Sequence, residues 1–169
     1  AGQATSPGKP FVIESTEPIA VFQVTTGTTG NLPEQGMAQI PHVECTGSNF
    51  VRYNKMSGLS TSALITIPTS AISQLSYNGS PISNVTNLLQ HQSTYDSSWS
   101  GIYIPPASLT NNFVLSCTTP FHVGIVAGLG SNTGLYGYIS GFDDDMKLLD
   151  PIYALPVEAV EQGNVCATP

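Results

Sequence analysis

The sequence predicts an all-β protein, an antiparallel β-sandwich of the jelly-roll or Ig-like type. Apolar residues occur in short runs separated by Gly, Pro, Asn and Ser, which is the pattern of strands joined by turns. About nine or ten short strands are expected along the chain, and no long amphipathic helix is apparent. Charged residues make up only 9% of the 169 residues, against about 25% in an average globular protein. A chain of this length can form one domain with a substantial core.

The N-terminal third combines loops with strand-like runs. Residues 1–9 are rich in Gly, Ser and Pro and predict an arm or linker, and a single sandwich domain is expected over residues 10–157. Residues 37–45 include Pro41, which is compatible with a short edge strand. Apolar or alternating runs predict further strands at Phe11–Ile13, Ile19–Val24, Phe50–Tyr53 and Ser62–Pro68.

A β-hairpin is predicted in the middle of the chain. Residues Ile72–Tyr77 mix apolar and polar side chains and predict a strand, and Asn78-Gly79 follows them directly. Asn-Gly is the strongest two-residue hairpin signal and favours a type I′ turn. Residues Pro81–Val85 are expected to form the returning strand. The polar stretch Asn87–Trp99 is expected to form a loop or one helical turn.

The most distinctive stretch is Thr119–Phe142, an apolar run followed by a polar turn and an aromatic run. Its five glycines from Gly124 to Gly137 would each destabilise a helix by roughly 1 kcal/mol, so two strands joined by a turn are expected. Strands are also predicted at Ser100–Pro105 and Phe113–Cys117, ahead of this hairpin. Residues 158–169 are expected to form a C-terminal tail.

Charge excludes several classes of partner. The net charge is −7, with 11 acidic residues and four basic ones. Nucleic acids and anionic lipids require a basic surface, so neither is expected as a partner. No window holds 18 consecutive apolar residues, so no membrane insertion is expected. The first residues lack the features of a signal peptide and are expected to be a mature terminus, and the composition predicts a secreted, extracellular protein.

Three cysteines and two glycosylation sequons fit an extracellular location. Cys45 and Cys117 are each expected at a strand end, where a disulfide would stabilise the fold by a few kcal/mol. Cys166 would then be a free thiol or form an intermolecular bond. Asn78 and Asn84 begin Asn-X-Ser/Thr sequons and are candidate glycan acceptors.

Few residues suggest a bound group or a reaction. Asp143, Asp144 and Asp145, with Asp150, are a candidate calcium site because Ca²⁺ prefers clustered carboxylate oxygens. No other cofactor is expected. No nucleophile motif or catalytic triad pattern is present, and His122, between Phe121 and Val123, is expected to be a structural strand residue. The chain is therefore expected not to be an enzyme. Six aromatic residues are a candidate platform for glycan stacking. They are Tyr77, Trp99, Tyr103, Tyr136, Tyr138 and Tyr153.

Several short segments together resemble a known family. The segments are Glu17–Gln23, Glu34–Pro41, Leu75–Gly79, Phe113–Ser116, Pro120–Ile125 and Tyr136–Tyr138. In this order they resemble the IgG Fc-binding-protein N-terminal domain family, a module of secreted animal and bacterial surface proteins. The resemblance covers roughly residues 10–142 and matches the later half of that module. It implies a role in mucus, adhesion or matrix, but it implies no catalytic residues, and Fc binding does not carry over.

These observations predict a non-catalytic structural or interaction module of a secreted fibre, mucus or surface assembly. Self-association is expected through edge strands or through the two terminal segments, since an open sheet edge can accept another strand. The alternative is a module that binds glycans or immunoglobulin.

Overall fold

The computed structural model describes residues 8–10, 12–16, 19–24, 37–43, 46–55, 57–128 and 136–139. This part of the chain is mostly β-structure in antiparallel sheets, with three short 3-10 helices. The strands are β1 (Val21–Val24), β2 (Met37–Ile40), β3 (Ser48–Asn54), β4 (Ser60–Pro68), β5 (Ser76–Tyr77), β6 (Ser80–Pro81), β7 (Leu89–Gln92), β8 (Trp99–Ile104), β9 (Asn112–Gly128) and β10 (Tyr136–Ile139). The 3-10 helices are Thr69–Gln74, Ile82–Asn84 and Pro106–Ser108.

The strands form two antiparallel sheets. β1 and β2 pair with each other, and the other eight strands form one sheet that curls into a half-barrel. Its main path runs β6-β5-β9-β4-β8-β7, and β3 and β10 also pair with β9. The prediction of an antiparallel all-β fold is confirmed, whereas the closed sandwich or jelly roll is not established by this arrangement.

The longest strand, β9, joins the two halves of this sheet. Its first half pairs with β3 and β5, and its second half pairs with β4 and β10. Two separate strands were expected here, on either side of Pro120, but the strand is continuous over 17 residues. Pro120 has no N–H to donate. It is tolerated because the β3 ladder skips it at a β-bulge, passing from Ser116 directly to Phe121.

The bulge is satisfied by a side chain. Asn49, on β3, lies opposite the skipped residues and its Nδ2 donates to the carbonyl oxygens of Cys117 (3.1 Å) and Thr118 (2.8 Å). These two bonds replace ladder bonds that the bulge removes, so the long strand passes the proline without leaving both carbonyls unpaired.

The core lies on one face of three adjacent strands, β8, β4 and β9. Residue pairing aligns Ile102, Ile65 and Val123 in one row across the strands, and Ile104, Ala63 and Ile125 in the next. All six side chains are 0–1% exposed. From Thr61 onward, β4 alternates buried and partly exposed residues, because successive side chains point to opposite faces.

The central hairpin is confirmed but shorter than predicted. Asn78 and Gly79 have φ values of 51° and 78°, as a type I′ turn requires, and Tyr77 pairs with Ser80 across it. The expected strand Ile72–Tyr77 was wrong over most of its length. Residues Thr69–Gln74 form a 3-10 helix that buries Ala71, and only Ser76–Tyr77 remain extended.

Other boundaries also differ from expectation. The return strand of the hairpin ends at Pro81, because Ile82 turns inward to start a 3-10 helix and donates its N–H to the carbonyl of Leu75. Val12 and Ile13, expected in a strand, are exposed and outside any strand. The predicted loop Asn87–Trp99 contains β7, whose polar residues gave no alternation because both faces of this edge strand reach solvent.

Replacing the central residue of the core row tests this packing. The Ile65→Ala variant is expected to lose about 2–5 kcal/mol of unfolding free energy, because the cavity lies between two paired strands and cannot collapse. Urea denaturation measures the loss. The matched control is Ile72→Ala, which shortens a half-buried isoleucine at the edge of the same core and should cost clearly less. Equal losses in the two variants would contradict the assignment of Ile65 to the centre.

Candidate functional site

The edge strand β7 is largely exposed to solvent. It ends the sheet path, and in the described part of the chain its one partner is β8. Leu89, Gln90 and Gln92 are exposed and His91 is half-buried. A strand in this position presents backbone donors and acceptors along its free side, where another strand can bind.

The phase of the hydrogen bonds shows which groups face outward. Just beyond β7, the N–H of Ser93 donates to the carbonyl oxygen of Trp99 at 2.9 Å, in register with the β7–β8 ladder. Residues of an antiparallel strand alternate between facing one neighbour and the other. Leu89 and His91 therefore bond toward β8. The N–H and C=O groups of Gln90 and Gln92 face the open side.

This edge carries none of the usual protection against pairing. Between Lys55 and Asp143 the sequence contains a single charged residue, Asp96. No proline, bulge or charged side chain lies within β7. Natural proteins commonly use such features to block edge-to-edge association. An edge without such features is open to pairing with a further strand.

The loop after β7 is fixed by its own hydrogen bonds. The buried Ser93 hydroxyl accepts the N–H groups of Tyr95 (3.3 Å) and Asp96 (3.1 Å). Asp96 Oδ1 accepts both the hydroxyl and the N–H of Ser98, which holds the pKa of this carboxyl below its usual value. The resulting contribution to stability is present above the unfolded pKa near about 3.9, and is lost as the pH falls through the lowered value.

An N-terminal strap, residues 8–10 and 12–14, lies across the outer face of β8. The carbonyl oxygen of Gly8 and the ring of Pro10 sit directly over Gly101, where any Cβ atom would collide with Gly8. Gly8 itself has φ +79°, and a Cβ there would lie 2.7 Å from Cβ of Tyr103. Glycine is needed at both positions, since backbone approaches backbone. The last two residues of the predicted arm, 8 and 9, thus belong to this strap.

The far end of the strap is tied to the loop after β7. The Tyr95 hydroxyl donates to Oε2 of Glu14 at 3.0 Å. This hydrogen bond, together with the negative charge of Glu14, raises the pKa of Tyr95. The protonated phenol is the form that binds. The stability that this hydrogen bond contributes is therefore fully present below the ordinary tyrosine pKa of about 10. It is lost as the pH rises through the raised pKa of Tyr95.

Exposed apolar side chains concentrate on this side of the molecule. Seven large apolar residues are exposed in the described ranges, and four of them belong to the strap, β7 or the loop after it. These four are Val12, Ile13, Leu89 and Tyr95, the last of which is 71% exposed. Val12 and Ile13 lie between Pro10, on β8, and Glu14, beside Tyr95. The edge and its apolar surroundings form one candidate surface.

A shallow groove of about 490 Å³ lies at the other end of the loop. The groove is lined by the indole ring of Trp99, the ring of Pro68 and four hydroxyl side chains. The hydroxyl residues are Thr69, Ser70, Ser97 and Ser98. The Thr69 hydroxyl donates to the carbonyl of Ser97 (2.9 Å) and lies 2.9 Å from Ser100 Oγ, which fixes the groove wall. Of the predicted platform residues whose side chains are described, Trp99 alone lines this groove.

The other predicted platform residues are dispersed. Tyr77 is buried and stacks on Phe113, with ring centroids 5.9 Å apart, so its predicted place on a binding platform was wrong. Its hydroxyl accepts the N–H of Thr110 at 2.8 Å. Tyr103 lies under Gly8 of the strap. No side-chain position is described for Tyr136 or Tyr138 in β10, and Tyr153 lies outside the described residues.

The predicted glycan acceptors occupy different environments. Asn78 Oδ1 accepts the N–H of Val114 (2.8 Å), and Nδ2 donates to Thr110 Oγ1 (3.1 Å). The Asn78 side chain thus extends the β5–β9 ladder by one residue. Asn84 is exposed at the end of a 3-10 helix. Its surroundings leave more room for a glycan, but glycosylation of either residue stays a prediction.

The remaining predicted site residues are only partly described. Cys117 is buried, its Sγ lies 3.7 Å from the carbonyl oxygen of Ala71, and it forms no disulfide within the described residues. Cys45 and Cys166 lie outside the described residues, so the Cys45–Cys117 disulfide and the role of Cys166 stay predictions. Asp143, Asp144 and Asp145 also lie outside, and the calcium site stays a prediction. His122 is buried within β9, with Nε2 3.4 Å from the carbonyl oxygen of Val43.

Two further kinds of site are absent from the described residues. Within the described ranges no group of three or more His, Cys, Asp or Glu side chains could hold a metal ion, and no helix there is long and apolar enough to cross a membrane. Comparison of the chain with protein-family models, with curated proteins and with solved structures finds no significant match in any of the three.

The strap contact predicts a specific effect of one methyl group. In the Gly101→Ala variant the new Cβ meets the Gly8 carbonyl, so the strap should leave β8 and its residues should exchange amide hydrogen faster and be cleaved sooner by protease. Gly58→Ala is the control, because a Cβ at Gly58 meets open space, so any effect of that variant comes from its positive φ (80°) and not from the strap. A strap that stays equally protected in Gly101→Ala would contradict the contact.

Proposed function

We propose that this chain is a non-catalytic extracellular module that works by protein–protein contact, as a subunit of a secreted fibre, mucus, adhesive or surface assembly. The observation that carries the proposal is the open edge of β7. Among the described residues no strand pairs with the outward backbone N–H and C=O groups of Gln90 and Gln92, and no charged side chain of β7 protects them. Such an edge is a binding surface for an extended segment of another protein.

The setting of the edge supports the same function. The strap, β7 and the loop after it carry four exposed apolar side chains near the edge, and a tied loop and a three-strand core hold the edge in position. A rigid edge loses little conformational entropy when a partner strand adds to it. Terminal segments of the chain are proposed to contact neighbouring subunits in addition to this edge.

The extracellular location and the family are parts of this proposal. Low charge with abundant Ser, Thr and Gly suits a closely packed extracellular assembly, and the resemblance to the IgG Fc-binding-protein N-terminal domain family implies the same setting. A jelly-roll or Ig-like sandwich is the proposed architecture of the complete domain.

Charged substitutions at the edge test the function. The Gln90→Lys/Gln92→Lys variant should dissolve the assemblies formed by the parent chain, because like charges meet at the pairing edge. Light scattering after size-exclusion chromatography and electron microscopy measure assembly. The control is Ser73→Lys/Ser83→Lys, which adds the same charge at two exposed residues. Both lie in 3-10 helices that flank β5 and β6, at the opposite end of the sheet order from β7. A parent chain that is monomeric throughout, or equal effects of both variants, would overturn the proposal.

The groove beside Trp99 favours a second candidate, glycan binding. An indole ring can stack on the apolar face of a sugar, and hydroxyl groups around it can hydrogen-bond to the ring substituents. The groove is open, which suits a terminal or linear sugar chain more than a buried small molecule.

Truncating the indole tests this candidate. In the Trp99→Ala variant the loss of stacking should weaken binding to a glycan identified on an array by roughly tenfold, as expected for about 1.4 kcal/mol. Tyr95→Ala removes an exposed aromatic ring that does not line the groove and should leave binding unchanged. Absence of any glycan binding by the parent chain would exclude this candidate.

A further inference from the structure

We infer that the partner of the β7 edge is β7 of a second copy of this chain, paired antiparallel about a two-fold axis at His91. This inference rests on the proposed function and names the partner for the same edge. It is drawn from the hydrogen-bonding phase of β7, from the distribution of charge and from the apolar side chains beside the edge.

The outward groups of β7 are complementary to themselves. In an antiparallel pair, two opposite residues that face each other exchange two N–H···O=C bonds. When Gln90 lies opposite Gln92 of the second copy, both residues of each copy take part. The two strands together then have four outward N–H donors and four outward C=O acceptors, and these form four hydrogen bonds. Pairing Gln90 with Gln90, or Gln92 with Gln92, would form only two bonds within β7.

This register places one residue on the symmetry axis. His91 lies between the two glutamines and bonds toward β8, so it faces His91 of the second copy as a non-hydrogen-bonded pair. Cα atoms in such a pair are about 4.5 Å apart. Leu89 then faces Ser93 of the second copy and is about 13 Å from Leu89 of that copy, at 3.3 Å per residue over four residues.

Charge favours a second copy at this edge. Each chain carries a net charge of −7, so two copies repel each other over most orientations. The region from residue 56 to residue 95 contains no charged side chain, and β7 lies within it. Two copies can therefore approach here with little local repulsion. A strongly charged partner would gain no ion pair from β7 itself.

The apolar side chains extend the contact beyond the four-residue strand. A stable interface buries at least about 1,200 Å², which is more than one short strand pair supplies. Leu89 and Tyr95 lie at the two ends of the edge, and the two-fold axis brings Leu89 of one copy to the Ser93–Tyr95 end of the other. The exposed Val12 and Ile13 of the strap lie beside Tyr95 and can add to the buried area.

Disulfide trapping tests both the partner and the register. The His91→Cys variant of the full chain should form a disulfide-linked dimer under mild oxidation, because Cα atoms about 4.5 Å apart are within the range of a disulfide. Leu89→Cys is the matched control, on the same strand and the same face. It should form no more dimer than the parent chain with its three native cysteines, because about 13 Å exceeds that range.

A second measurement covers a failure of the His91 variant to fold. An equimolar mixture of Gln90→Cys and Gln92→Cys chains should form a mixed disulfide dimer in excess over either variant alone. The inference is overturned if neither system exceeds the parent chain, if Leu89→Cys forms as much dimer as His91→Cys, or if a different protein strand occupies the edge. Failure of trapping while the lysine variants still dissolve the assemblies would remove the inference and leave the proposed function intact.

Discussion

The packing of β4 between β8 and β9 is the interaction on which the rest of the structure depends. Ile65 is covered on one side by Ile102 and on the other by Val123, so three strands share one apolar row. Burying each of these side chains contributes about 1.5–3 kcal/mol, and the row also sets the register. A shift by one residue would turn the core face of β4 to the other side of the sheet.

This register determines where the sheet ends. With β8 fixed against β4, the residues of β8 that do not bond to β4 are free to bond to β7, and the N–H of Ser93 marks the phase of that ladder. The outward groups of Gln90 and Gln92 therefore follow from the core. On the outer face, Gly101 lets the strap approach β8, which places further apolar side chains near the same edge. The positions of the edge and of the strap thus both depend on how β8 packs in the core.

Local patterns predicted the parts of the fold that depend on local chemistry. Asn78-Gly79 predicted its turn because only residues that tolerate positive φ fit there. The strand ending at Tyr77 was mispredicted because Ile72 and Leu75 are three residues apart, which is the period of a 3-10 helix and not of a strand. β7 was predicted as a loop because an edge strand exposed on both faces has no alternating hydrophobic pattern. The absence of charge between residues 56 and 95 was the available signal, but its meaning depends on knowing which strand is at the edge.

Residue-resolved hydrogen exchange tests the central claim, that the free side of β7 is the association surface, most directly. Amides of Leu89 and His91 should be protected at every protein concentration, because they bond to β8. Amides of Gln90 and Gln92 should exchange fast in dilute protein and become protected as the concentration rises. Protection of Gln90 and Gln92 that does not change with concentration, whether absent or complete, would contradict the account.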